Sequence, residues 1–289
     1  MKRTILFISS ALLAVSVLST RASATGPWVQ PEDRAQVAIT ASYTFADSYY
    51  NSNELKKNLP GDISNYEVHY MFTAGLTQTT DISITVGYVD SNAENQTPPI
   101  TKRSISGISD SSIRVKSQLK TGHTSVALLT GLRIPGGYDK DYFNSPGRRS
   151  VDYELGLSFG EYYRERTLYW TTDAVTRLRM GAPPNELEVN FELGRVFDHV
   201  WLLRGIADYR KSLSGGTIEE SPLGSGIISF CQVEEEVYDY GIGVTHLNGD
   251  GSSLGVTVKK NYGTNSIRAD ESFYLTYTYH TKNILKGVF

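Results

Sequence analysis

GISDSSIRVKSQLKTGHTSVALLTGLRIPGG, residues 107–137, is the stretch whose reading decides the fold. It reads as a β-hairpin turning at Thr121-Gly122-His123-Thr124. In the first arm Ile113, Val115 and Leu119 alternate with Arg114, Lys116, Gln118 and Lys120. In the second, Val126, Leu128, Leu132 and Ile134 alternate with Ala127, Gly131 and Arg133. A period of two places one set of side chains on each face of a strand. One face here is aliphatic and the other carries up to four cations. A soluble sheet would bury the aliphatic face in a core and wet the charges. A membrane barrel inverts this, with aliphatic side chains in lipid and charges in the lumen.

The flanking chain favours the barrel. Val37, Ile39, Ala41, Tyr43 and Phe45 alternate with small polar residues, and so do Tyr66, Val68, Tyr70 and Phe72 with Glu67, His69 and Thr73. Further alternating runs follow at 82–88, 151–159, 168–180, 187–193, 201–210, 238–244, 254–258 and 273–279. Together they predict an all-β fold, a single antiparallel transmembrane β-barrel of about 12 strands, an even number as in bacterial barrels. The connections sort by parity. Those after the second, fourth, eighth and tenth strands are tight, and the sixth is short. Those after the first, third, fifth, ninth and eleventh are long and polar, the seventh being shorter. Short periplasmic turns alternating with long external loops mark an outer-membrane barrel, and a soluble sandwich has no reason to sort its loops this way. Tyr and Trp toward strand ends, such as Tyr43, Tyr66, Tyr88, Trp170 and Trp201, suit the headgroup level.

The first 24 residues have the three parts of a secretory signal. Lys2 and Arg3 are the positive region, Ile5 to Leu18 the apolar region, and Ala22-Ser23-Ala24 the cleavage site. Residues 1–24 are therefore expected to be removed, leaving 25–289 as the barrel. The apolar run is too short to span a membrane comfortably. With Cys231 as the single cysteine, no internal disulfide is possible. The whole chain carries 28 Lys+Arg against 31 Asp+Glu; losing Lys2, Arg3 and Arg21 leaves 25 against 31, a net charge of −6. Without a basic excess, nucleic acid is a poor partner. The expected location is the outer membrane, with its lipid as the first partner. The terminal Phe289 fits the aromatic end read by the barrel assembly machinery, although Asn283 to Val288 alternate poorly.

Two glycine-based motifs carry a resemblance. Gly107-Ile108-Ser109-Asp110 before one strand and Gly131-Leu132-Arg133-Ile134-Pro135-Gly136-Gly137 closing the next resemble the phenol-degradation meta-pathway outer-membrane protein family. Gly26-Pro27-Trp28 is similar to the mature start of its members. The resemblance implies a barrel that moves hydrophobic or aromatic small molecules, not an enzyme of phenol chemistry.

No metal or cofactor site is expected: His69, His123, His199, His246 and His280 lack ligand spacing. His246-Leu247-Asn248-Gly249 faintly resembles the His-x-Ser-Asn-Gly segment of outer-membrane phospholipases, but Asn248 stands where the nucleophilic serine is needed. An amide cannot supply that hydroxyl. The informative residues are the inward charges. Arg114, Lys116 and Arg133 are followed by Glu154, then Arg177, then Glu188, then Arg204. These seven are the candidate lumen-lining set. Opposite signs on neighbouring strands favour cross-strand ion pairs that fill the interior and hold register. The alternative is a polarised lumen, with Arg114, Lys116 and Arg133 as an anion-attracting wall. Three classes of function stay open. They are a passive channel or transporter, a surface-interaction barrel working through loops such as Lys211 to Glu234, and, disfavoured, a barrel enzyme.

Overall fold

In a computed structural model of the chain, the described residues are 26–50, 55–95, 101–137, 150–163, 167–180, 184–213, 236–264 and 267–283. They form one antiparallel sheet closed on itself. Its segments are β1 (Arg34–Tyr50), β2 (Lys56–Gly75), β3 (Thr80–Asn95), β4 (Thr101–Ile108), β5 (Ser111–Lys120), β6 (Thr124–Ile134) and β7 (Val151–Tyr163). The chain continues through β8 (Leu168–Met180), β9 (Glu186–Phe197), β10 (Trp201–Ser212), β11 (Glu236–Leu247), β12 (Ser253–Thr264), β13 (Ile267–Arg268) and β14 (Glu271–Lys282). β4 and β5 both pair with β3, end to end, and β13 and β14 both pair with β1. Each couple is one strand broken once, so the wall has twelve strands. β1 closes it, with β2 on one side from Ala35↔Ala74 and β14 on the other from Arg34↔Lys282. Closure pairs the strands of the wall on both sides, with β4 and β13 extending beyond it on one partner each among the described residues, β3 and β1.

The burial pattern is inside out. Ile242, Leu155, Tyr240 and Val256 keep 65, 54, 54 and 51 % of their surface exposed, whereas Asp152, Glu154, Arg177 and Glu186 keep 0, 3, 5 and 1 %. Outward apolar residues recur on every long strand. A soluble monomer rarely exposes an apolar patch beyond about 300–600 Å², and this girdle encircles the molecule. Lipid is the solvent that makes such a surface stable. The twelve-stranded barrel expected from alternation and loop parity is the observed fold.

The strands run further than alternation predicts. Much of the long polar connection expected after the first strand is itself strand, since β1 continues to Tyr50 and β2 begins at Lys56. β3 likewise reaches Asn95 and β12 reaches Thr264. Outside lipid, backbone pairing persists while the outer face no longer has to be apolar, so the sequence signal stops before the strand does. The large external loops themselves, including 214–235, lie outside the described residues, as do the signal segment and Phe289.

Both glycine motifs meet at one irregularity. Between Tyr88↔Ile108 and Thr85↔Ser112, two residues of β3 face three of the opposite chain. This is a bulge, which bends and re-aims a strand. Ser109 N–H donates to the Gly87 carbonyl at 2.9 Å, Gly137 N–H to Ile108 O at 3.1 Å and Gly136 N–H to Asp110 Oδ1 at 3.2 Å. A Cβ on Gly136 would lie 1.9 Å from Ile108 O, so the close approach requires glycine. A second bulge, between Gln118 and Lys120, pairs Lys120 with the lipid-facing Val126. Lys120 therefore leaves the inward cationic set.

Candidate functional site

All seven candidate residues lie on the inward parity of their strands. One register row runs Arg114↔Gly131, Gly131↔Glu154, Glu154↔Arg177 and Arg177↔Glu186 across β5 to β9. Gly131 has no side chain, so Arg114 reaches over β6 to the strand beyond. Its Nη2 donates to Glu154 Oε2 at 2.6 Å and its Nε at 3.0 Å. A Cβ on Gly131 would sit 3.2 Å from that Oε2. The other Glu154 oxygen accepts from Arg177 Nε at 3.0 Å. Arg177 also donates to Glu186 Oε1 at 2.6 Å and pairs with Glu188. Arg179 adds Glu186 Oε2 at 2.8 Å and Asp152 Oδ2 at 3.5 Å. Buried charges persist when paired and hydrogen-bonded, and this network meets both conditions.

The same device recurs on the neighbouring strands. Arg204 Nη1 pairs with Glu192 Oε2 at 3.3 Å, and its Nη2 reaches over Gly243 to Thr257 Oγ1 at 3.2 Å. Lys259 crosses Gly241 to Asp208 Oδ2 at 2.6 Å. In each case a glycine on the middle strand opens a window through which a long cation binds two strands away. Sequence reasoning named Arg204 but missed Asp208 and Lys259, which sit on strands where the pattern looks merely polar.

The charged half of the wall, β5 to β10, faces a half richer in small residues, among which Glu67 and His69 of β2, Lys259 of β12 and Tyr274 of β14 also point inward. Thr40, Ser42 and Thr44 of β1, Thr276 of β14, and Ser83 and Thr85 of β3 point inward and stay partly exposed. Thr40 and Thr276 hydroxyls meet at 3.0 Å, and Thr44 and Ser272 at 2.9 Å. Gly241, Gly243, Gly255 and Gly87 continue this wall. Accessible lumen surface therefore lies along β12, β14 and β1 to β3.

The segment from Gly26 to Asp33 crosses the lumen. Gly26 N–H donates to Asp173 Oδ1 at 3.2 Å, and Lys116 Nζ donates to the Gly26 carbonyl at 3.1 Å. Ser158 donates its hydroxyl to the same Asp173 oxygen. Trp28 packs on Tyr162, with centroids 4.3 Å apart, and edge-on to Tyr169 at 6.5 Å. Beneath it Tyr169, Val196, Leu202 and Leu247 form the one buried apolar cluster among the described residues. Gln30 N–H donates to Asp81 Oδ2 at 2.9 Å. Asn283 Nδ2 closes the other end, donating to Glu32 O at 2.7 Å and Gly75 O at 2.6 Å. The segment narrows the barrel at its periplasmic end.

One expectation changes in detail. Arg114 and Lys116 are engaged, by Glu154 and by the Gly26 carbonyl, so they do not form an open basic wall with Arg133. Among the described residues Arg133 makes no ion pair. The phospholipase-like segment is a hairpin turn. His246 Nδ1 meets Asn248 Oδ1 at 2.9 Å, and Asn248 Nδ2 donates to Ser252 Oγ at 2.8 Å. The Ser252 hydroxyl and amide hold the Asp250 carboxyl below the usual carboxylate range.

No family model matches the chain, and no curated protein matches its sequence. Solved structures do. The COG4313 outer membrane channel from Pseudomonas putida F1 superposes with a TM-score of 0.68 at 10 % identity, over 88 % of this chain and 98 % of that one. The translocator domain of the autotransporter NalP from Neisseria meningitidis gives 0.53 at 12 % identity, over 87 % and 90 %. The NanC porin gives 0.52 at 7 %, over 84 % and 98 %. What they share with this chain is the outer-membrane barrel fold. At such identities nothing finer passes from them.

Proposed function

We propose that the protein is a passive outer-membrane channel, exported by its cleavable signal and gated at the periplasmic end by residues 26–33. The observation that carries this is the closed barrel with a lipid-suited exterior, a partly exposed hydroxyl-lined lumen wall, and a single inserted segment across it. Likeness to outer-membrane channels and porins supports the reading. Hydrophobic or aromatic solutes, implied by the motif resemblance, suit the apolar seat beneath Trp28. An aromatic compound would compete there with the indole.

The test is single-channel conductance of refolded protein starting at Thr25, once heat-dependent gel mobility has established folding. Discrete steps that enlarge when residues 25–33 are deleted support a channel gated by that segment. A folded barrel silent in both forms refutes it. An aromatic solute that displaces Trp28 should shift its fluorescence, and no shift with aromatic solutes removes the finer proposal. Arg133→Gln alone should lower any preference for anions, since Arg114 and Lys116 are already engaged.

A further inference from the structure

The lipid-facing side of the wall carries two charges that the lumen does not use. Along β7 the outward residues Tyr153, Leu155, Leu157 and Phe159 are apolar or aromatic, yet the next outward position, at the periplasmic edge of this face, is Glu161. Its carboxylate is held from three sides. His123 Nδ1 meets Oε1, the Tyr163 hydroxyl donates to Oε2, and Trp170 Nε1 donates to Oε2 at 3.3 Å. Trp170 is the Cα partner of Glu161 on β8, and the His123 and Tyr163 rings stand edge-on with centroids 5.4 Å apart. No lysine or arginine among the described residues pairs with this acid. A carboxylate has about four acceptor positions, so one stays open. A cation lies on the same rim. Through Tyr163↔Leu168 and Leu168↔Arg195, the outward Arg195 of β9 shares a register row with Tyr163, two strands and so about 10 Å away. Arg195 is exposed, its guanidinium lies 4.8 Å over the Phe197 ring, and it makes no ion pair among the described residues.

We propose that this rim binds the headgroup of one zwitterionic phospholipid bearing a primary ammonium, with the ammonium on Glu161 among the three rings and the phosphate on Arg195. Both residues sit where the apolar face ends, the level at which Trp and Tyr meet headgroups. A primary ammonium brings three N–H donors to an acid that has no lysine or arginine of its own, and rings beside it add cation–π attraction. The planar fork of arginine suits phosphate oxygens. The two protein charges thus have the order and the spacing of the two charges in one such headgroup. A purely anionic lipid would satisfy Arg195 and bring no cation to Glu161, and a quaternary ammonium has no N–H to donate. The seat needs the lipid-exposed wall but no open lumen, so it holds whether or not the barrel conducts.

The experiment places the refolded protein in vesicles of equal parts phosphatidylethanolamine, phosphatidylcholine and phosphatidylglycerol with the same acyl chains, and counts the lipid it retains by native mass spectrometry. Phosphatidylethanolamine should be retained roughly tenfold over either of the others, the size of a charge-assisted hydrogen bond. Glu161→Gln should bring it down to the level of phosphatidylglycerol. Arg195→Gln should lower retention of all three lipids together, since each carries a phosphate. Equal retention of the three by the unaltered protein overturns the proposal. So does a preference that survives Glu161→Gln, or phosphatidylcholine held as well as phosphatidylethanolamine. Heat-dependent mobility identifies any variant that has not folded, and Glu161→Thr then replaces Glu161→Gln. Retention is read without conductance, so a silent barrel that keeps its lipid would refute the channel and leave this inference standing.

Discussion

Gly131 shows how much a single missing side chain decides here. With nothing beyond Cα, it lets Arg114 cross β6 to Glu154, and a Cβ there would lie 2.9 Å from Ile113 O. Gly131→Val should lower the chemical unfolding midpoint in detergent. Gly137→Ala, where an added Cβ meets nothing within 4 Å, should stay within about 0.5 kcal/mol. Equal effects from the two would mean that the window carries no weight. Arg177 is the centre of the same network, donating to Glu154 and Glu186 and pairing with Glu188. Arg177→Leu removes a cation shared by three carboxylates and leaves Glu188 without its ion pair, a loss on the order of 3–5 kcal/mol for a broken buried pair. Arg114→Gln should cost less, because Arg114 keeps a quarter of its side chain exposed and is not the only cation on Glu154. Denaturant titrations of both variants check the order. Opposed signs on successive strands made these pairs legible in the sequence. Which partner each cation takes was not, because that depends on register and on the glycines between.

Strands β7 and β14 and the segment before β1 show where reading by period succeeds and where it stops. Along β7, Tyr153, Leu155 and Leu157 face outward and Asp152, Glu154 and Ser158 inward, as alternation requires. Leu155→Lys should therefore destabilise the barrel by about 2–4 kcal/mol if the site lies near the bilayer midplane. Folding into vesicles measures this, and a neutral result would place the residue outside the hydrocarbon. The period fails at both extremities of the wall. Beyond Phe45 the strands continue without an apolar face, because water rather than lipid surrounds them. Residues 26–33 carry no period at all, and their partners Lys116, Asp173 and Asn283 lie 90, 147 and roughly 250 positions away. Contacts that long-ranged leave no local trace. Asp81 and Asp173 were not singled out for the same reason: each is an isolated acid in a polar stretch until the N-terminal segment lies against it. The Gly107–Asp110 and Pro135–Gly137 motifs were visible as motifs, but their common origin in one bulge needed the sheet.

Taken whole, the lumen has two unlike sides, and this asymmetry predicts how conduction responds to change. From β5 to β10 most of the inward charges are buried in ion pairs, though Arg133 is not, so they fill space and hold register more than they offer surface. From β12 through β14 to β3 the wall is richer in Thr, Ser and Gly and partly exposed, with Glu67, His69, Lys259 and Tyr274 among them. Water and small solutes should follow the second side. Thr40→Trp, on the small-residue wall, should then reduce the conductance step to less than about half, since pore width sets passage where no binding site competes. Arg114→Gln, on the opposite wall, should leave the step nearly unchanged and alter selectivity only slightly. The two substitutions differ in kind, steric against electrostatic, and both positions face the same lumen. Were Arg114→Gln the stronger of the two, the ion path would run through the charged network, and the pairs would be its conducting groove rather than its filling.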